Sequence, residues 1–152
     1  MRVPQSIVDM PRVVTEAITG ADKATLVRRG EGGTFSLTEQ ACHLRDLERE
    51  GYLVRVRRIL AENDPALAGF EGDVVARERR YETQDASAAV RDFTRARAEL
   101  VALLATVDEV QVARTATFAG QRITLGDLVA MIEEHDGGHR DEIAALVAAQ
   151  AR

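Results

Sequence analysis

The chain has no tryptophan, one cysteine, three prolines and three histidines among its 152 residues, and aromatic side chains make up only 4% of it. A single cysteine, Cys42, cannot form an intramolecular disulfide, so nothing calls for an oxidising compartment. With so few rings, the core has to be built from alanine, leucine, valine and isoleucine, and the 45% hydrophobic content can supply them. Excess positive charge is also missing. The formal net charge is −5, which argues against nonspecific phosphate or nucleic-acid binding. The basic clusters are R-V-R-R (55–58) and R-E-R-R (77–80); on helices such runs read as solvated faces. M-R-V-P-Q-S-I-V-D-M-P at the start holds no apolar run long enough for a signal peptide, and no segment approaches a membrane span. There is no phosphate-binding glycine loop and no nucleophile elbow. The expectation is one soluble cytoplasmic domain over residues 1–152, with neither nucleic acid nor membrane as partner.

Helix signals, by contrast, are plentiful. S-L-T-E at 36–39 reads as a capping box, with Ser36 as cap and Glu39 reaching back. Apolar residues follow at Leu37, Ala41, Leu44 and Leu47, then Ile59 and Leu60, which predicts a helix to about Asn63. T-L-G-D at 124–127 starts another, with Ile123 and Leu128 placed for a hydrophobic staple. Val90, Phe93, Ala96, Leu100, Leu104 and Val107 mark a long helix beginning near Asp85 or Ser87, and a first helix spans about Ser6 to Thr19. A short turn falls around Ala21–Arg29. The connection from Pro65 to Gln84 is too long for a simple hairpin, so it predicts a crossing segment with a short helix near Asp73–Tyr81. Residues 115–123 read as extended or loop, and no alternating strand pattern is sustained. The expected fold is all-α: a four-helix bundle with a long crossover between helices 2 and 3, an architecture that often holds metals between facing helices.

His43, His135 and His139 are the three histidines. On a continuous helix His135 and His139 lie about 40° apart around the axis and one turn apart along it, the spacing that offers two imidazoles to one ion. They continue the apolar series Leu128, Ile132, Ile143, Leu146, so they point into the bundle. His43 lies on the inward half of the helix that Ser36 begins. Three neutral imidazoles with an open position suit a catalytic rather than a structural zinc site; nickel, manganese or iron would also accept them. The competing reading is histidines that are merely buried and hydrogen-bonded. Between His135 and His139 stands Gly137-Gly138, an expensive pair in a helix. The unbroken phase of the stripe predicts an intact helix, with the glycines leaving room for a neighbouring helix, a subunit or a substrate. Cys42 reads as a small core residue. Asp46 reads as a surface carboxylate, the alternative being a partner that orients an imidazole or joins the metal. Glu133, Glu134 and Asp136 should mostly face solvent, and Tyr81 should be core, with a pocket hydroxyl as the alternative.

Several stretches together resemble the DinB superfamily: A-C-H-L-R-D-L-E (41–48), F-E-G-D (70–73), R-R-Y-E-T-Q-D (79–85), A-R-T-A-T-F-A-G (113–120) and T-L-G-D-L-V-A-M-I-E-E-H-D-G-G-H-R (124–140). The resemblance covers roughly residues 36 to 150. It implies a four-helix bundle in which His43, His135 and His139 bind a divalent metal, commonly zinc or nickel. It further implies a metal-dependent transferase acting on a low-molecular-weight thiol such as bacillithiol or mycothiol and an electrophilic small molecule, and frequent homodimers. The alternatives it carries are a noncatalytic, stress-associated metal-binding or sensing protein and a metal-dependent hydrolase. Phe35 departs from the pattern, since similar sequences often place tryptophan there. No catalytic residue besides the metal site is evident, and no separate general base.

Overall fold

The computed structural model describes residues 1–150. Four long helical segments make the bundle. Helix α1 spans Gln5–Thr19, and a short helix α2 (Lys23–Val27) follows it. The second long segment runs through α3 (Leu37–Asp46), a π turn (Leu47–Tyr52) and α4 (Leu53–Ala61). After the crossover come α6 (Ala86–Ala105) and finally α8 (Leu125–Gln150). Ser36 accepts from the Glu39 amide while the Glu39 carboxylate accepts from the Ser36 amide, so the capping box forms as read. Thr124 and Asp127 make the same reciprocal pair ahead of α8. Helix α3 packs along α6, and α1 lies against both α6 and α8.

The crossover carries the predicted short helix, α5 (Gly72–Glu78), then a single 3-10 turn at Tyr81–Thr83. Three short strands also form, although no alternating pattern announces them. They are β1 (Ala66–Leu67), β2 (Thr115–Phe118) and β3 (Gln121–Thr124), with a four-residue helix α7 (Glu109–Val112) before the hairpin. β1 pairs parallel to β2, and β2 antiparallel to β3. Strands of two to four residues are too short to show a period, which is why the sequence left 115–123 open. The hairpin turns on Ala119 and Gly120, both at positive φ (51° and 77°), as a tight two-residue turn requires.

The π turn is the main departure within the helices. It inserts about one extra residue and so shifts everything after it by roughly 100° of phase. On an unbroken α-helix Arg55 would lie about 120° from His43; after the insertion it lies about 20° away. Arg55 is accordingly buried, not solvated as R-V-R-R suggested, while Arg57 is exposed and Arg58 partly so.

Helix α8 is continuous through Gly137-Gly138, as its stripe predicted. The proposed need for room is not met within the chain: a Cβ at either glycine would meet nothing within 4 Å. Gly137→Ala/Gly138→Ala is therefore expected to stabilise the protein, by up to about 1 kcal/mol per site, seen as a raised denaturation midpoint. A loss of stability would mean that something outside this chain packs there.

The core has two apolar halves. One gathers Ile7, Leu53, Val56, Leu100, Leu128 and Ile132; the other gathers Met10, Val14, Leu44, Val90, Phe93 and Ile143. Each long helix passes from one half to the other, and a polar layer lies where they do. There Arg97, 1% exposed, donates to Glu48 (2.6 and 3.0 Å), to Asp136 (2.6 and 3.1 Å) and to the Ile7 carbonyl (2.9 Å). All five guanidinium N–H groups are thereby used. Of the three acids around His135, Glu133 and Glu134 face solvent, in line with the expectation that most would, and Asp136 is the one that is fully buried.

Candidate metal centre

The structure brings His43, His135 and His139 together, one potential ligand atom from each lying within 4.8 Å of the others. His135 and His139 come from successive turns of α8 and His43 from the middle of α3. His135 Nε2 and His139 Nε2 are 3.1 Å apart, close to the roughly 3.3 Å separating two nitrogens bound to one tetrahedral zinc. The His43 ring lies 4.8 Å from that of His139 and 5.6 Å from that of His135, centroid to centroid.

Each ring is held differently. His139 Nδ1 donates to Gln40 Oε1 (2.6 Å), and Gln40 Nε2 in turn donates to Glu142 Oε2 (2.5 Å). That relay sets the tautomer and leaves the His139 Nε2 lone pair facing the cluster. His43 is wedged between Phe35, 5.4 Å away by ring centroids, and the start of α5. The departure from tryptophan at position 35 thus still places a ring against His43. His43 Nδ1 and His135 Nδ1 are buried without a hydrogen-bond partner among the described residues. In His135 this is the nitrogen turned away from the Nε2 that meets His139, so an ion between the two Nε2 atoms would leave it to ordered water.

Burial lowers the pKa of all three histidines. For His43 it falls to about 3, pushed further by the neighbouring His139 and His135, and for His135 to about 4. Burial also lowers His139, against the opposing pull of Glu142 and Asp136. Near pH 7 all three are neutral imidazoles, the form that ligates a divalent cation. Donor chemistry and the convergence of the three rings therefore fit a metal ion.

Stability should record the same shifts. In metal-free protein the unfolded chain takes up protons on its histidines near pH 6.5, but folded His43 and His135 resist until about pH 3 and 4. Between those values the unfolded state binds more protons, so stability falls on acidification, by up to about 1.4 kcal/mol per pH unit for each histidine. A melting temperature of chelated protein that stayed level from pH 7 to 5 would contradict this.

The cluster forms the floor of a cleft of about 730 Å³, rimmed by Arg29, Phe35, Phe70, Asp73, Arg77 and Glu142. A second cleft of about 460 Å³ reaches His43 and His135 from the other side, with Phe70 lining both.

The other singled-out residues lie apart from the three rings. Cys42 is fully buried, with its thiol pushed up to about 11 by desolvation. Asp46 is not the surface carboxylate expected from the sequence. It is 4% exposed and accepts from the Tyr81 hydroxyl (2.6 Å), from Arg45 (2.8 Å) and from Arg79 (3.0 Å). Burial raises the pKa of Asp46, but these donors outweigh it and hold the carboxyl below its usual range. The phase of its helix places Asp46 inward, and long-range donors from the crossover make that placement tolerable. Tyr81 is core, as read, and its hydroxyl ties the crossover to α3. Gln40, Gly72 and Glu142 were missed. Gln40 was visible in principle, one turn before His43 on the same face, but its contacts with α8 were not.

A family model described as the DinB superfamily matches residues 7–143. Among proteins of curated function none matches. Among solved structures, YfiT from Bacillus subtilis superposes with a TM-score of 0.88 at 20% sequence identity, covering 97% of this chain and 85% of that one. That protein is described as "a probable metal-dependent hydrolase with an unusual four-helix bundle topology". At this identity the likeness concerns the fold alone. The family match spans all four long helices and all three histidines, and the chain belongs to the DinB superfamily.

Proposed function

We propose that His43, His135 and His139 hold a divalent metal ion, zinc or nickel before manganese or iron, and that the protein is a metal-dependent transferase acting on small molecules. The observation that carries this is the convergence of three neutral imidazoles on the floor of an open cleft. A structural site would be closed by a fourth protein ligand. When bound, the ion lowers the pKa of a thiol or water and so supplies a nucleophile at neutral pH.

The chain's own residues do the rest. Gln40 and Glu142 fix the His139 ring, and Phe35 and Phe70 flank His43 and shield it from water. Two clefts meet at His43 and His135, one rimmed by charge and one largely apolar, which gives a nucleophile and an electrophile separate approaches. This supports transfer between two substrates. A low-molecular-weight thiol is the expected donor and a second copy of the chain the expected partner. Hydrolysis is the second reading. It is favoured by the description of YfiT, with Glu142 and Asp73 as the carboxylates on the cleft rim.

Metal-loaded protein should accelerate the reaction of at least one thiol with a model electrophile over chelated protein. Acceleration without thiol would select hydrolysis, and none across the panel would refute transfer and hydrolysis alike.

Gly72 supplies a separate test of geometry. A Cβ there would stand 2.8 Å from His43 Cε1 and 3.1 Å from Nδ1, so only glycine lets α5 begin against that ring. Gly72→Ala must displace His43, and zinc affinity is expected to fall roughly 10–100-fold, the range for residues that orient ligands. Titration against a chromophoric chelator measures it; unchanged affinity would mean that His43 does not ligate in this orientation.

A further inference from the structure

Arg55 is 6% exposed, yet among the described residues no carboxylate pairs with it. Its Nε donates to the Ala68 carbonyl (3.2 Å), and among the described residues its Nη groups, which keep contact with the cleft, have no acceptor. The guanidinium lies over the Phe118 ring, with Cζ 4.6 Å from the centroid, and beside that of Tyr52 at 5.7 Å. The contrast with the other buried arginine is direct: Arg97 is matched by two carboxylates. A largely buried cation without a counter-charge keeps only the solvation that the cleft admits, which is costly. Ring contact offsets part of that cost but leaves four N–H donors free.

Those donors belong to a residue lining the second cleft. Its walls are apolar, with Leu47, Leu128 and Met131 beside the two rings, and Glu134 is its one acid. Tyr52 also lies 6.1 Å from His135, centroid to centroid, so whatever Arg55 holds sits beside the histidine cluster. The π turn is what puts Arg55 there, and the β2 strand supplies Phe118.

We propose that Arg55 anchors the carboxylate of an apolar small molecule bound in this cleft, next to the three histidines. The planar fork of a guanidinium matches a carboxylate. Apolar walls accept the remainder of such a molecule and offer nothing to the extra oxygens of a phosphate. Glu134 would repel a dianion more than a monoanion. That this ligand is the electrophilic substrate rests on the transfer reading above; that Arg55 holds an apolar carboxylate does not.

The test uses benzoate, its neutral isostere benzamide, and inorganic phosphate, titrated into chelated, metal-free protein by NMR. Benzoate should bind about tenfold or more tightly than benzamide, the difference a charge-assisted pair supplies. Phosphate should bind more weakly than benzoate. Arg55→Met, which keeps the apolar stem, should reduce benzoate to the level of benzamide. Equal affinity for benzoate and benzamide would overturn the proposal, and so would a preference that survives Arg55→Met or phosphate binding as tight as benzoate. A benzoate preference seen only after metal loading would also overturn it, by assigning the carboxylate to the ion. If Arg55→Met does not fold, the wild-type comparison of benzoate with benzamide decides alone. Turnover with metal and thiol is a separate measurement, so the two readings fail separately.

Discussion

Arg97→Met should lower the stability of the folded protein by about 3–5 kcal/mol, the usual effect of stripping one partner from a buried ion group. Its side chain is completely enclosed and, among the described residues, is the only cation paired with Glu48 and Asp136, both fully buried. Glu48 already shows the strain, since burial raises its pKa even with Arg97 in place. Removing the guanidinium leaves two carboxylates facing one another in the middle of the bundle, with the Ile7 carbonyl also unpaired. For a domain of this size such a loss is a large share of total stability. Two further results separate this cause from simple loss of packing. The deficit should shrink on acidification, as the stranded carboxyls become neutral. Glu48→Met/Arg97→Met/Asp136→Leu, which removes every charge in the layer, should recover most of the loss, because apolar replacement of a whole buried ion group is often neutral or better. Urea denaturation of the three proteins at two pH values decides it. A single variant within about 1 kcal/mol of wild type would mean that the layer is hydrated or can rearrange.

His139→Ala should reduce bound metal from about one equivalent to near zero in protein purified without a histidine tag, as measured by elemental analysis. His139 is the ring with the most complete support, through Gln40 and Glu142. Its loss leaves two imidazoles, too few for a three-histidine site. The fold should survive, because the side chain is partly exposed and lies outside both halves of the apolar core. Gln40→Ala removes only the relay. It should retain metal at high concentration but bind it roughly 10–100-fold more weakly. Full metal content in His139→Ala with an unchanged circular dichroism spectrum would exclude this cluster as the binding site.

Much of this was legible along the chain because it is local. Helix caps need residues three apart, as Ser36 with Glu39 and Thr124 with Asp127 show, and both formed. The inward direction of His135 and His139 follows from the phase of Leu128, Ile132 and Ile143 on one helix. Tyr81 and Cys42 were read correctly as core from residue type alone, since the groups that enclose them come from distant segments.

What stayed hidden depends on partners far away in sequence. Asp46 resembles a surface acid until Arg79 and Tyr81 reach it, and which of Glu133, Glu134 and Asp136 turns inward is undecided until Arg97 reaches Asp136. Arg97 itself sits in the apolar stripe between Phe93 and Leu100, a position that marks it as unusual without naming Glu48 or Asp136. Gly72 reads as an ordinary helix start; only the folded chain places His43 against it. Arg55 was misread for a different reason. Periodicity assumes a constant twist, and the π turn breaks that assumption between His43 and Arg55.

The sequence by itself determined the number and direction of the helices, which faces are apolar, and that two of the three histidines share one of those faces. Caps and periodicity express interactions within a few residues, which a linear chain records directly. Tertiary structure alone decided that His43 meets the α8 pair, that Gln40 orients His139, and that one buried arginine is fully paired while another opens its free donors onto a cleft. Those outcomes depend on which helix faces meet and at what height, and that is set by packing between segments that the chain order does not place side by side.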